Sequence, residues 1–486
     1  MYNVSVRVFS FPVDHWCKPP PEFSKMSPGQ WKNFAIPESN DGRYDQCYQY
    51  DLNILNPNVS RPLVPCEAWD YDLPPERHTI ISFWNLVCNR SRLLLIARAF
   101  ENVGGLLLVP VVGQTTDRVG RRPATFFCVI VALISGFLAS VTKKFPIFVV
   151  ARVFVAASVN ALKLVIFILL LEVTSSDRRE LYGCLVHIGS VAAFIFVVAI
   201  HDSFMDRQVV SLITMMPMSF LVFAFYAVQE SPRWLLALQD VESARAVLLV
   251  VSHLNNVNSR KLQNPPWNAA CVPTKRTTFT FVHLISIHAL RKRTLTVCWA
   301  WLCVSTSLFS VVFTYSSFSN ESRGPEINDV SIVSSVGAIL GAYGLLRLCD
   351  RKTILFLLLP LSSMLTIAIA VGSPIFRKLQ VEFMLIVISS ALQATNVVLY
   401  IYTFEMFPTV VRALGISVAY FCGRVGAILG YRLFTITVDN HPSVLMFILS
   451  VVLMSALAWL QALPESKGRK LPDTLLDLEI CKKKNK

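Results

Sequence analysis

Two basic residues stand where membrane-length apolar runs rarely keep them. Arg424 lies near the middle of a run at about 413–433, flanked by Gly423 and Gly426, and Lys163 lies well inside another at about 146–170. A charge at the centre of a spanning helix costs about 2.5–3.5 kcal/mol on insertion scales, so such a residue needs a polar cavity or a partner. In a low-dielectric cavity a guanidinium would draw in a carboxylate or sulfate through bidentate hydrogen bonds. The plainer alternatives are a structural ion pair for Arg424 and, for Lys163, a side chain snorkelling to the interface.

The remaining charges of chemical interest gather where apolar runs end. Gly113-Gln-Thr-Thr-Asp117-Arg118-Val-Gly120-Arg121-Arg122 joins two runs. Glu172 and Arg179 bracket a second turn, Glu230 and Arg233 a third, Glu405 and Arg412 a fourth, and Glu465 and Arg469 follow the last run. Gly113 permits close helix approach, Asp117 can cap or pair, and the arginines suit an anionic membrane face. Arg98 and Glu101, three apart in one run, can pair with each other. Aromatic side chains at Phe309, Tyr400 and Tyr402, with Trp299, Trp301 and Tyr315, offer faces on which a planar organic solute could stack. Nothing resembles a catalytic constellation. There is no phosphate-cradling loop and no metal-spaced Cys/His cluster, and the eight histidines are scattered. The chain therefore reads as neither an enzyme nor a cofactor-binding protein.

The elements that must position these residues follow from composition. The 486 residues are 54% hydrophobic and 16% charged, against about 25% charged in soluble domains. Apolar runs long enough for a roughly 30 Å hydrocarbon core fall near 93–112, 124–142, 146–170, 181–200, 208–228, 294–317, 328–348, 353–373, 380–402, 413–433 and 443–462. These predict an all-α polytopic membrane protein. The formal charge of +14 lies in the loops between runs, which fits membrane topology and argues against a nucleic-acid partner.

Residues 1–90 are polar, with Cys17, Cys47, Cys66 and Cys88 beside sequons at Asn3, Asn58 and Asn89; no apolar segment precedes them, so no signal peptide is expected. An extracellular, glycosylated region with two disulfides is expected, their pairing open among three possibilities. With that region outside, the basic segments 113–123, 173–180, 229–293, 347–352, 403–412 and the tail fall inside, and the loop 318–327 with its sequon at Asn320 falls outside. Lys143-Lys144 and Arg377-Lys378 run against the assignment but are outnumbered. The predicted organisation is an outer region 1–90, a membrane half 91–228, an inner loop 229–293, a second half 294–463 and a basic tail 464–486. A surface helix is expected near Val241–Leu254.

The two halves repeat. Glu172 and Arg179 are echoed by Glu405 and Arg412, 233 positions on, Asp117-Arg118 by Asp350-Arg351 at the same offset, and Glu230 by Glu465 at 235. Lys163 likewise matches Asn396, so the two could face each other across a central cavity. The run 294–317 has no counterpart before 93–112, which suggests that a first helix lies upstream of Met1.

The basic loop resembles the signature of the major facilitator superfamily. Within it the chain is similar to solute carrier family 22, the organic cation, anion and zwitterion transporters, from about Asp14 to Arg469. The likeness is carried by Asp14-His-Trp-Cys17, Cys66-Glu-Ala-Trp-Asp-Tyr-Asp72, Trp84-Asn-Leu-Val-Cys88, Glu230-Ser-Pro-Arg-Trp-Leu235, Tyr402-Thr-Phe-Glu-Met-Phe-Pro-Thr409, Gly423-Arg-Val-Gly426 and Leu463-Pro-Glu-Ser-Lys-Gly-Arg469.

The resemblance implies two pseudo-symmetric six-helix halves, with about eleven of the helices present, and secondary-active transport of small organic ions across the plasma membrane by alternating access. It implies that Gly113, Asp117, Arg118, Gly120, Arg121, Arg122, Glu172, Arg179, Glu230, Arg233, Glu405, Arg412, Glu465 and Arg469 form a cytoplasmic gate. It places Arg424 where anion-carrying members are basic and cation carriers acidic, with Lys163, Asn396, Phe309, Tyr400 and Tyr402 as further substrate contacts. Anions or zwitterions are thus expected; a cation or carnitine-like carrier, or a non-transporting truncated member, is the alternative. The chain departs from the family in lacking a basic residue within 328–346, in the glycine-free Asp350-Arg351-Lys352, and in Ala156, Ala157 and Ser158 where glycines are usual.

Overall fold

A computed structural model of the chain describes residues 14–38, 44–51, 62–73, 79–204, 207–256, 279–320, 329–372, 376–437 and 442–475. Asn3, Asn58, the basic residues of 260–276, the residues after Asn320 in its sequon and the terminal lysines lie outside the described residues, as does the side chain of Arg98. The elements, in order, are β1 (His15–Cys17), α1 (Pro28–Ala35), β2 (Tyr48–Tyr50), β3 (Leu63–Pro65), β4 (Trp69–Tyr71), α2 (Ile80–Trp84), α3 (Ser91–Val119), α4 (Arg121–Val141), α5 (Phe145–Val173), α6 (Arg179–Phe204), α7 (Arg207–Ala227), α8 (Pro232–Ala237), α9 (Val241–Leu254), α10 (Phe281–Ser286), α11 (His288–Asn320), α12 (Asp329–Leu348), α13 (Arg351–Gly372), α14 (Lys378–Met406), α15 (Arg412–Thr437) and α16 (Pro442–Leu460).

Each predicted apolar run has become a long helix. Among the described residues, ten are long and apolar enough to cross a membrane, with mean hydropathy of 1.5 to 2.5; in α12 the apolar stretch is the shorter Ser334–Leu348. A helix satisfies every backbone group within the segment itself, which lets a single apolar run of this length cross hydrocarbon. Helix α11 starts at His288, six residues before the apolar run. Its basic first turns belong to the helix rather than to a loop, because Arg293 Nη1 donates to Met406 O at 2.9 Å. The surface helix expected at Val241–Leu254 is α9, capped by Asp240, which accepts from Ser243 N at 3.1 Å.

The chain folds as two compact units. The first comprises Met1–Gly104, Ala132–Ala156 and Ala193–Phe220. Here β1 pairs antiparallel with β4 and β2 with β3, and the cysteines pair as Cys17–Cys66 and Cys47–Cys88 with Cα separations of 5.5 and 5.6 Å. Helix α1 starts in a capping box made by Ser27 and Gln30. Its Trp31 is 1% exposed and donates its indole N–H to Cys17 O at 2.7 Å, nucleating a small core with Trp16, Ala35 and Ile36. Trp84, at the end of α2, packs on Phe145 and Phe148 and donates to Lys143 O at 2.9 Å. That contact puts the cysteine-bearing region on the same side as the 142–144 turn. Glu101 takes Arg152, a residue of another helix, as a partner at 2.6 Å; the expected pairing with Arg98 lies outside the described side chains.

The second unit comprises Gly105–Val131, Ala157–Ala192 and Leu221–Lys486. Helices α11 and α15 pack backbone to backbone. A Cβ on Gly426 would sit 2.3 Å from Leu302 O and one on Gly430 2.4 Å from Thr306 O, while Ser310 Oγ donates to Gly430 O at 2.9 Å. Small residues four apart are what permit such an approach where hydrophobicity cannot drive helix association. Helix α14 packs against α11, α12 and α13 and is buried along most of its second half.

Candidate functional site

Helix α3 ends at Val119 and α4 begins at Arg121, so one residue must turn the chain. Gly120 does so with φ of 115°, a conformation L side chains rarely adopt. Pro123 falls in the first turn of α4, where no backbone donor is needed. The freed N–H groups of Arg121 and Arg122 point at the carboxylate of Glu230, 3.0 Å to each oxygen. The second half repeats the device: Arg351 N and Lys352 N donate to Glu465 at 3.2 and 2.9 Å. Both carboxylates thereby occupy the positive end of a helix.

Arg351 is accordingly the counterpart of Arg121, not of Arg118 as a constant 233-residue offset had it. The offset is 230 at Arg121 and Arg351 and becomes 233 at Glu172 and Glu405, because α13 is one residue longer than α4 and the connection after it, 373–377, is two residues longer than 142–144. Asp350 is no copy of Asp117. Asp117 instead accepts from Ala413 N at 3.3 Å and Leu414 N at 2.9 Å, capping α15. The corresponding approach at the start of α6 pairs Arg347 with Glu180 at 4.0 Å, an acid and a base with their places exchanged. Gly113 lies directly against α15, where a Cβ would meet Ser417 Oγ at 2.2 Å.

The arginine side chains meet two glutamates. Arg121 Nε lies 3.3 Å from Glu172 Oε2, and Arg351 Nε lies 3.4 Å from Glu405 Oε2. Each glutamate also takes an arginine from the opposite half: Arg412 Nη1 reaches Glu172 at 2.8 Å, and Arg179 Nη1 reaches Glu405 at 3.3 Å. Arg351 adds Glu180 at 2.6 Å, and Ser466 Oγ donates to Glu405 at 2.6 Å. The ring of Phe404 lies under both crossing guanidiniums, 4.6 Å from Arg412 and 5.9 Å from Arg179. Arg121 and Arg412 are fully buried. Such pairs confer little net stability, but removing one partner strands a buried charge.

Backbone groups complete the network. Arg121 donates to Thr409 O at 2.9 Å and Arg233 to Glu172 O at 3.2 Å. The segment after the last helix lies alongside: Arg412 donates to Pro472 O at 3.3 Å and Thr409 Oγ1 to Asp473 at 2.7 Å. Of the residues expected in a gate, Arg118 and Arg469 are exposed and stay outside the network, while Arg122 turns to Phe225 O at 3.0 Å. Arg351, Glu180, Ser466 and Asp473 belong to it without having been expected.

A second cluster lies further along α14 and α15. Arg424 Nε donates to Tyr420 Oη at 2.7 Å, its Nη2 donates to Asn160 Oδ1 at 3.2 Å, and Tyr420 Oη donates to Asn160 Oδ1 at 3.0 Å. Lys163, one turn from Asn160, lies 5.8 Å from the ring centre of Tyr400. That ring is also met by Trp301 at 4.4 Å, His187 at 4.8 Å and Phe167 at 5.7 Å. Among the described residues, neither Arg424 nor Lys163 has a carboxylate within salt-bridge distance, whereas Arg121, Arg152, Arg179, Arg351 and Arg412 each do.

The expected contacts divide. Asn396 is half-buried one turn before Tyr400 on α14. Tyr402 points away from the cluster, its hydroxyl donating to Pro464 O at 2.7 Å near the paired charges. Phe309 lies beside Phe313 further along α11, their rings tilted by 37° with centres 6.4 Å apart. Asn160, His187 and Tyr420 were not foreseen.

Comparison with known proteins decides the family. The family model described as "Sugar (and other) transporter" matches residues 25–474. The chain belongs to that transporter family. It is 27% identical over 487 residues to the beta-alanine transporter of Drosophila melanogaster, covering 91% of this chain and 78% of that one. It is 24% identical over 510 residues to solute carrier family 22 member 7 of Rattus norvegicus, covering 98% and 92%. Its fold is similar to that of the proton:xylose symporter XylE of the major facilitator superfamily, with a TM-score of 0.62 at 14% identity over 81% of this chain and 90% of that one. This sugar (and other) transporter family member is thus a multi-pass membrane protein with the major facilitator fold and the solute carrier family 22 likeness, a transporter and not an enzyme.

Proposed function

We propose that this transporter carries organic anions, or zwitterions held by their carboxylate, across the plasma membrane by alternating access. The observation that carries this reading is the pair of half-buried cations, Arg424 and Lys163, that lack carboxylate partners among the described residues in a protein where the buried arginines have them. Arg424 is held in place by two neutral groups, Tyr420 and Asn160, which orient the guanidinium and leave its charge uncompensated. A bound carboxylate supplies the missing charge. The aromatic faces of Tyr400 and Trp301 beside it suit an organic body. The beta-alanine transporter among its relatives is named for a solute that bears such a carboxylate.

The paired charges form the cytoplasmic gate. Glu172 with Arg412 and Glu405 with Arg179 tie the two halves at one end, and their separation opens the path to the inner side. Solute shifts that balance only through its differential affinity for the two states. The disulfide-linked region is extracellular, with Asn89, exposed on its surface, and Asn3, Asn58 and Asn320 as glycosylation sites.

The test is uptake of labelled benzoate and of labelled tetraethylammonium into cells, alongside surface biotinylation. Arg424→Gln is expected to abolish benzoate uptake at unchanged surface level. Uptake of tetraethylammonium but not benzoate by the wild type contradicts the reading.

A further inference from the structure

His187 is the one member of the Tyr400 cluster whose chemistry remains unused. It lies on α6 and is 8% exposed, and its ring meets Tyr400 edge-on at 4.8 Å. Its Nε2 is buried and has no hydrogen-bond partner among the described residues. A buried polar atom left without a partner is costly, and unsatisfied groups in native folds ask for an explanation. Packing does not supply one, because the shape of an aromatic ring beside Tyr400 could be met without a ring nitrogen. Two polar neighbours in the same cluster are matched: the Trp301 indole donates to Thr403 Oγ1 at 2.9 Å, and Tyr420 is bound on both sides.

Four helices converge on this nitrogen's neighbourhood: α5 with Lys163 and Phe167, α6 with His187 itself, α11 with Trp301, and α14 with Tyr400. The basic group facing it is Lys163, and no carboxylate faces it among the described residues.

We propose that His187 is a specificity-determining residue whose Nε2 hydrogen-bonds a polar substituent on the organic body of an anion whose carboxylate is held by Arg424. The inference rests on the anionic reading of Arg424. Imidazole donates or accepts according to its tautomer, so a hydroxyl, which can do either, is its natural complement. A site built to bond a hydroxyl discriminates strongly against the analogue that lacks it, because the site's own polar atom is then left unpaired. The preferred solutes are accordingly aromatic or cyclic carboxylates bearing a hydroxyl, rather than unsubstituted ones.

Saturable binding of benzoate, 3-hydroxybenzoate and 4-hydroxybenzoate to the purified full chain in detergent tests this. In the wild type one hydroxybenzoate is expected to bind at least about tenfold more tightly than benzoate, which is 1.4 kcal/mol. His187→Leu is expected to bring the ratio close to one while benzoate still binds, and His187→Gln, which keeps a donor and an acceptor, to retain part of the preference. Because the readout is a ratio within one preparation, a lower yield of folded variant does not mimic the result. Equal binding of all three by the wild type, or an unchanged preference in His187→Leu, overturns this inference alone. Benzoates that bind as well to Arg424→Gln as to the wild type overturn the anionic reading beneath it.

Discussion

Arg412 Nη1 lies 2.8 Å from Glu172 Oε1, although the two residues stand in opposite halves of the repeat and are 240 positions apart. The symmetry-related contact joins Arg179 to Glu405 at 3.3 Å. Each half thus lends an arginine to the other's glutamate. Glu172 is shared with Arg121 of its own half, so loss of Arg412 leaves a carboxylate still countered but no longer tied across. Arg412→Gln should lower Tm of the purified protein by up to about 3–5 °C, given the 3–5 kcal/mol that breaking a buried pair costs and an unfolding entropy of about 1 kcal/mol/K for a chain of this length. Glu172→Gln combined with Arg412→Gln should cost less than the two single changes added together, by about 0.5–3 kcal/mol. Strict additivity in a thermal-shift double-mutant cycle would show that the pair is not coupled.

Asp117 holds the first turn of α15 through two backbone N–H groups, and among the described residues its guanidinium partner is Arg121 of its own half, at 3.1 Å. Asp117→Asn keeps the shape but supplies one carbonyl where a carboxylate served both donors. Uptake should therefore fall severalfold more than surface abundance does. Uptake and biotinylation measured on the same cells decide the point, and normal uptake per surface molecule refutes it.

Gly120 makes a sharper case. Its φ of 115° disfavours any side chain, and a Cβ would lie 2.5 Å from the Glu230 carboxylate that caps α4. Gly120→Ala should destabilise the protein by about 1–3 kcal/mol, with a matching fall in folded yield by fluorescence-detected size exclusion. A wild-type elution profile and Tm would show that the turn tolerates a side chain.

The cysteine-bearing region offers a topological test. Cys47→Ser frees Cys88, which is half-buried rather than enclosed. Intact cells should then gain labelling by a membrane-impermeant maleimide, and stability should drop by about 2–5 kcal/mol. Absence of labelling on intact cells, with labelling after permeabilisation, places the region inside and reverses the proposed orientation.

Much of this architecture is legible before any coordinates. A single apolar run of membrane length satisfies its backbone within itself as a helix, so the helices announce themselves, and Glu172–Arg179 against Glu405–Arg412 displays the repeat directly. What hides is partnership. The seven-residue spacing within each half invites local pairing, yet the structure exchanges the partners, because each arginine begins the helix after its own glutamate's and points away from it. A fixed offset matches Arg351 to Arg118 because it cannot see the three residues that the second half gains between the start of α13 and the start of α14. Asn160, His187 and Tyr420 escape notice for a different reason. A single polar residue in an apolar run carries no periodic signal, and only the convergence of several helices reveals that its neighbours are polar too. Arg424 is visible because a charge at that depth is costly enough to need explaining by itself.

The claim that most depends on this convergence is that Arg424 waits for an anion. It is tested most directly by ligand-induced thermal stabilisation of the purified wild type and Arg424→Gln, with benzoate and with tetraethylammonium. At a concentration 100 times Kd, a ligand that binds only the folded state adds about 2.7 kcal/mol. The account predicts a saturable rise in Tm with benzoate in the wild type, no rise with benzoate in Arg424→Gln, and none with tetraethylammonium in the wild type. Stabilisation of the wild type by the cation alone, or by the anion equally in both proteins, contradicts it.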